Sequence, residues 1–398
     1  MKKYLIGLFG SLALPALAET HVISSVAQQI NHENKLIEGK GWRVQVETLK
    51  GGRSEGCQLI TMDNGSLTIR VIPTRGMGVL DVRKGDIRLG WDSPVPEIVH
   101  PSYIDLESRG GLGWLEGFNE WMVRCGLEFA GHPGTDENDF PLTLHGKIQN
   151  IPASEVSLSV EGKRLTLHGT VYEKFFYGPK LRLDTTLSTE VGSGTFTISD
   201  TITNIGGAEQ EFQIIYHGNY GSSILEEGAE VVSAAKSVTP MDDNAAKAIG
   251  TYTTYTGPVP GFQEEVYLLE PYGDAKGRTM SVLHNKAGDL ATSLAWNINE
   301  LPHLTIWKNT TSREDGYVTG IEPATGYPFN RKVERHFGRV PTLAPGASRT
   351  FTIAYGIHEG TRSVKAALAA VKKIQGGRKT TVHPEAPELP KDEAAAGN

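Results

Sequence analysis

The 398-residue chain reads as an all-β protein, a large sandwich or barrel. Three observations predict this. Short segments rich in β-branched and aromatic residues recur along most of the chain. Turn residues such as Asp63-Asn64-Gly65 and Gly192-Ser193-Gly194 separate them. Helical and extended patterns do not alternate, so nothing suggests a parallel sheet covered by helices.

Taken in order, Trp42–Leu49 alternates Trp42, Val44 and Val46 against Arg43, Gln45 and Glu47, the period of a half-buried strand. Cys57–Met62 and Ser66–Pro73 form a hairpin across Asn64-Gly65, and Val79–Arg83 and Ile87–Trp91 form another across Lys84-Gly85-Asp86. Residues 92–140 break the rhythm: Pro94, Pro96 and Pro101 rule out a central strand there. Ser108 to Trp114 is glycine-rich, and a short helix through Trp114–Met122 fits the pattern. Strands resume with Thr143–Ile148, Glu155–Val160, Arg164–Glu173, Lys180–Glu190, Gly194–Asn204 and Glu211–Tyr216. Later strands are Ala229–Val232, Glu265–Leu269, Thr279–His284, Ala291–Asn297, His303–Lys308, Tyr317–Glu322 and Thr350–His358. One clear helix follows over Arg362–Gln375, where Val364, Leu368, Val371 and Ile374 recur at helical spacing and Gly376-Gly377 stops it.

The ends read differently. Lys2 and Lys3, a short apolar run from Tyr4 to Leu14 and Ala16-Leu17-Ala18 have the form of a cleavable export signal, residues 1–18, with Glu19 as the mature start. That run is too short to span a bilayer, and no later stretch is long enough. The expected product is periplasmic or secreted. Residues 19–40 read as an N-terminal extension, residues 41–375 as one domain, and 376–398, rich in Pro, Glu, Lys and Ala, as a disordered tail. The net charge of −7 and the lack of a basic stripe argue against a nucleic-acid partner. Cys57 and Cys125 could be a disulfide or two buried thiols. No Cys/His spacing suggests zinc, and no cofactor is expected. The oligomeric state is left open.

Three segments could carry chemistry. Leu142-Thr143-Leu144-His145-Gly146 and Gln213 to Tyr220 (QIIYHGNY) each bring a histidine to the edge of an apolar run. Tyr317 to Pro328 (YVTGIEPATGYP) carries Glu322 in an apolar strand that ends at a Pro/Gly turn. A carboxylate there is costly unless paired or used, and an imidazole is the side chain that titrates near neutrality. Taken singly, each is more often a structural hydrogen bonder or surface ion pair, and His168, His284 and His303 sit in comparable segments. Arg75, Arg109 and Arg124 could hold neighbouring ligand oxygens in the guanidinium fork or form ordinary salt bridges. Trp114, Trp121 and Trp307 could stack on a ligand or fill the core, and Asp243, beside Asp242 in a polar loop, could reach ligand hydroxyls.

These motifs, in this order, resemble the aldose 1-epimerase (galactose mutarotase-like) superfamily, and most of all its branch of aldose 1-epimerase family proteins first described as a domain of unknown function, DUF4432. The resemblance spans roughly Gly56 to His358 and rests on His145-Gly146, on His217 followed by Tyr220, on Glu322-Pro323 with Thr325 and Pro328, and on Arg109-Gly110-Gly111. The second segment departs from the usual mutarotase form, which has Asn before the His and Tyr-Phe after it. The resemblance implies a β-supersandwich with a sugar cleft on one sheet. It implies an isomerase in which Glu322 is the base, His217 the acid and His145 an assistant at the anomeric centre, the acid and base facing each other across the sugar without a metal. The partner is then a small sugar or oligosaccharide. Another isomerase or lyase on the same scaffold, or a non-catalytic carbohydrate-binding protein, are the alternatives.

Overall fold

The computed structural model describes residues 18–390. The expected leader, apart from Ala18, and the last eight residues of the tail lie outside them. Two large sheets make up the fold, one of ten strands and one of thirteen. Neighbours along the middle of each are antiparallel: Arg164–Lys174, Lys180–Glu190, Thr195–Asn204 and Ser348–Glu359 run through the first. Met122–Leu127, Gln213–Tyr220, Val318–Ala324 and His303–Asn309 are consecutive in the second.

Alternation decides which side chains meet. Leu167, Leu183 and Ile198 of the first sheet share one hydrophobic cluster with Ile60, Met122, Ile214 and Ile306 of the second, so the sheets pack face to face over a common core. The outer face of the ten-stranded sheet is covered by the helix Thr361–Gln375, whose Val364 and Val371 are buried against Ala234, Val282 and Ala291. The expected helix therefore forms and packs on the sandwich. The outer face of the thirteen-stranded sheet carries a second apolar cluster, with Trp91, Trp114, Phe118, Val123, Cys125 and Ile215. Cys57 and Cys125 are both buried free thiols.

Four local expectations change. Residues 19–40 are integral: Glu19–Ser25 pairs with Glu155–Glu161 and Asn34–Gly39 with Trp42–Thr48, because Ile23 and Ile37 are buried in the core. The described part of the tail is not without structure. Thr381–Val382 adds to the edge strand Ala235–Pro240, where the His383 N–H reaches the Val238 carbonyl at 2.9 Å. Trp114–Met122 is not a helix. A 3₁₀ turn covers Gly113–Gly117, and Met122–Leu127 is a central strand, with Met122 facing the core and Val123 and Cys125 facing outward. Thr143–Ile148 is not a strand: His145 lies at φ 59°, left-handed, which breaks the extended run.

One charged group sits between the sheets. Arg124 forms an ion pair with Asp200 of the opposite sheet, donates to Thr185 Oγ1 at 2.8 Å and to the Met77 carbonyl at 3.0 Å, and is buried with its partner. Removing one member of such a pair leaves the other unsolvated. Arg124→Met should therefore lower the unfolding free energy by about 3–5 kcal/mol. Arg124→Met with Asp200→Leu should recover much of that loss, as read by denaturant titration.

Candidate active site

His217 lies in the strand Gln213–Tyr220, whose even-numbered Ile214 and Tyr216 enter the core while Ile215 and His217 face outward. Glu322 lies in the next strand, Val318–Ala324. The register that sets Ile215 opposite Ala324 and Gly218 opposite Ile321 sets His217 opposite Glu322. Val123 on one side and Thr305 on the other complete the row. Directly opposed side chains on neighbouring strands are in reach of each other, and His217 Nε2 is 3.3 Å from Glu322 Oε1. Both side chains are buried. The carboxylate folds back over Gly320, where a Cβ would fall 2.2 Å from Oε1, so a side chain at 320 would displace it.

His145 arrives from outside the sheet. Its backbone N–H bonds the Gly131 carbonyl and its carbonyl receives the Gly126 N–H, which fastens the loop to the end of the Met122–Leu127 strand. Gly146, at φ 72°, is required: a Cβ would meet the carbonyl oxygens of Phe129 at 2.2 Å and Gly126 at 2.4 Å. The His145 and His217 rings are 5.4 Å apart, and Trp114 stands edge-on to His145 at 4.7 Å. Phe118 and Trp307 each stand edge-on to His217, at 5.4 Å. The three sequence-selected groups thus converge on the lining of one cavity of about 590 Å³.

The tautomers follow from the partners. His145 Nδ1 is 2.9 Å from the Ala130 carbonyl, which can only accept, so Nδ1 carries the hydrogen and Nε2 is left as an acceptor. Asn219 donates through Nδ2 to the carbonyls of Glu120 and His217, so its Oδ1 faces His217 Nδ1 at 2.8 Å and accepts from it. The Nε2 of His217 therefore meets the Glu322 carboxyl group. Burial pushes His217 well below the ordinary imidazole range, helped by His145, and raises Glu322 well above the ordinary carboxyl range, helped by Glu264. Burial also pushes His145 down to about 4. Three buried polar atoms on the lining have no hydrogen-bond partner: Glu322 Oε1, Thr305 Oγ1 and Trp114 Nε1. Together they offer an acid/base pair, a hydroxyl and an indole donor to a polyhydroxylated ligand between aromatic walls.

The other sequence candidates separate. Trp114 and Trp307 line the cavity, whereas Trp121 is packed between the sheets against Tyr355. None of Arg75, Arg109, Arg124 and Asp243 is on the lining. Arg124 is spent on Asp200. Arg109 is exposed beside Glu116, and Asp243 starts a surface helix capped by Asp242. Arg75 is buried, bonded to Glu120 at 3.1 Å and to the Gly117 carbonyl at 2.9 Å. Glu120 in turn offers its backbone carbonyl to Asn219, so Arg75 supports the orientation of His217 from behind. Against the sequence expectation, His217 and Glu322 do not face each other across the width of a sugar ring; they are in direct contact. Sequence reasoning missed Asn219, Phe118, Thr305 and Glu264. Asn219 was the accessible one, two residues beyond His217 and hence on the same face of its strand.

Among the described residues, no group of three His, Cys, Asp or Glu side chains is arranged to hold a metal ion. No helix of the described residues is long and apolar enough to cross a membrane.

His145 gives a stability test. Its pKa falls from 6.5 in the unfolded chain to about 4 in the fold. Between these values the unfolded chain binds the extra proton, so stability should fall as pH drops from 6.5 toward 4 and then level off for this group. His145→Asn, which tolerates the left-handed backbone, should flatten that part of the unfolding free-energy profile.

A profile of the domain of unknown function DUF4432 matches residues 54–357. A crystal structure of a candidate aldose 1-epimerase from Klebsiella pneumoniae is 40% identical, with a TM-score of 0.90 over 93% of this chain and 100% of that one. A galactose mutarotase-like protein from Clostridium acetobutylicum shares the fold at 13% identity and TM-score 0.55, over 81% of this chain and 100% of that one. A galactose mutarotase related enzyme from Lactobacillus acidophilus does so at 13% identity and TM-score 0.52, over 77% and 99%. No functionally curated protein matches. The supersandwich and the profile across most of its length place the chain in the DUF4432 family, among proteins of the aldose 1-epimerase, galactose mutarotase-like type.

Proposed function

We propose that the protein interconverts the anomers of a free sugar by acid/base ring opening and closing. The observation that carries this is the His217–Glu322 contact of 3.3 Å on the lining of a sugar-sized cavity. Glu322 takes the proton of the anomeric hydroxyl, C1=O1 forms, and the C1–O5 bond breaks with its electron pair going to O5. His217 Nε2–H gives O5 its proton. C1 turns about the C1–C2 bond, and the reverse transfers close the ring on the other face. The pair alternates between carboxylate with imidazolium and carboxylic acid with imidazole. Its net charge stays zero throughout, which a desolvated site favours. Burial alone favours the neutral form, and sugar hydroxyls donating to Glu322 would favour the ionised one. His145, an acceptor through Nε2, would hold a hydroxyl beside the anomeric centre.

Glu322→Gln and His217→Asn should each lower the rate of anomer exchange by about 10²–10⁴-fold, with sugar binding largely kept. Arg109→Ala should leave the Michaelis constant unchanged. NMR exchange rates on a panel of freshly dissolved sugars test both. A full rate for Glu322→Gln would reject the mechanism and favour a carbohydrate-binding role.

We also propose that the protein is exported, a reading supported by the leader-like residues 1–18, which end in Ala16-Leu17-Ala18. Expressed in a bacterial host, the protein should be recovered from the periplasm with Glu19 at its N-terminus by mass spectrometry. An intact leader on cytoplasmic protein would contradict it.

A further inference from the structure

We propose that the cavity selects uncharged or amine-bearing sugars and rejects sugars carrying a carboxylate or phosphate, an inference that rests on the anomer-exchange reading for its kinetic arm only. Among the described residues, its titratable lining consists of His132, His145, His217, Glu264, Asp315 and Glu322, with no lysine or arginine.

Each charge has a defined place. Glu322 is buried in the row of His217. Glu264 is exposed and accepts a hydrogen bond from Trp307 Nε1 at 2.7 Å, which fixes both the carboxylate and the indole wall. Asp315, also exposed, accepts from Ser312. Two carboxylates therefore stand where the cavity meets solvent. Arg75, Arg109 and Arg124 are not on the lining: Arg75 and Arg124 are engaged with buried acids, and Arg109 stands beside Glu116. The imidazoles do not compensate the two carboxylates, because burial favours the neutral form of His132, His145 and His217.

An anionic substituent entering this cavity loses its hydration without meeting a cation, and it meets like charge at the entrance. An uncharged hydroxyl is served by the unpartnered Thr305 Oγ1 and Trp114 Nε1. An ammonium group directed outward finds Glu264 and Asp315. Selection here comes from the repulsive elements as much as from the attractive ones.

The test compares glucose, glucosamine at a pH where its amine is protonated, glucuronate and glucose 6-phosphate. Two readouts are used on the full chain: anomer exchange by NMR, and quenching of tryptophan fluorescence, since Trp91, Trp114 and Trp307 line the cavity. Glucose and glucosamine should bind at least about tenfold more tightly than either anion, and exchange should follow the same order. In Glu264→Gln/Asp315→Asn the gap to the anions should narrow. Binding with this order but no exchange would defeat the anomer-exchange reading and leave the selectivity standing. Exchange or binding that favours an anion would overturn the selectivity and leave the activity. A gap unchanged in the double variant would overturn the role of the two carboxylates. Absence of binding by all four sugars would overturn the proposal.

Discussion

His217 and Glu322 are buried side by side, and burial tolerates that pair only at zero net charge. Much of the surrounding structure serves this condition. The antiparallel register sets the two residues opposite each other. Phe118, Trp114 and Trp307 keep water from the histidine. Asn219 fixes the imidazole hydrogen on Nδ1, so that Nε2 is the nitrogen facing the carboxyl group. Asn219 is held by the Glu120 carbonyl, and the Glu120 side chain by Arg75 and Gln149. A chain of hydrogen bonds thus runs from a buried ion pair to the tautomer of the reacting ring.

The reverse side of the same strands, mostly apolar, carries one polar cluster of its own. Tyr216, the residue before His217, donates its hydroxyl hydrogen to Asp200 at 2.9 Å across the core. Tyr216 is paired with Arg124 on the neighbouring strand, and Arg124 also reaches Asp200. The two strands behind the site are therefore tied to the opposite sheet by one carboxylate. Apolar packing alone would allow them to slide or twist. A hydrogen-bonded charge pair between sheets holds their separation and register, and with them the position of His217.

The fold class was legible because period-2 alternation is a local property: Leu167, Leu183 and Ile198 declare their strands without reference to anything distant. The convergence of His145, His217 and Glu322 came from resemblance, since spacing along the chain cannot report which strand ends meet. The arginines failed for a physical reason. A guanidinium suits a sugar hydroxyl and a buried carboxylate equally well, and the acids that claimed Arg75 and Arg124 lie 45 and 76 residues away. The strand Met122–Leu127 was hidden because it follows a proline-rich stretch and is buried on both faces, so its sequence shows no apolar/polar alternation. His145 was read as a strand residue because a left-handed backbone leaves its trace in the following glycine, and that glycine's neighbours, Gly126 and Phe129, are remote in sequence.

The composition of the cavity and the chemistry of the pair lead to one constraint. Opening a hemiacetal moves one proton in and one proton out, and neither sugar nor enzyme gains charge. Such a reaction needs no cation to stabilise an anion that persists, so a lining without lysine or arginine is no handicap. What it needs is equal access of two adjacent groups to two oxygens on one carbon, in surroundings that keep both forms of the pair close in energy. Desolvation favours carboxylic acid and imidazole, while sugar hydroxyls offered to the carboxylate favour the ionised form. In the proposed mechanism, the Glu322 oxygen that has no hydrogen-bond partner is the point at which a bound sugar would shift that balance. Binding and proton exchange would then act through the same atom, Oε1 of Glu322.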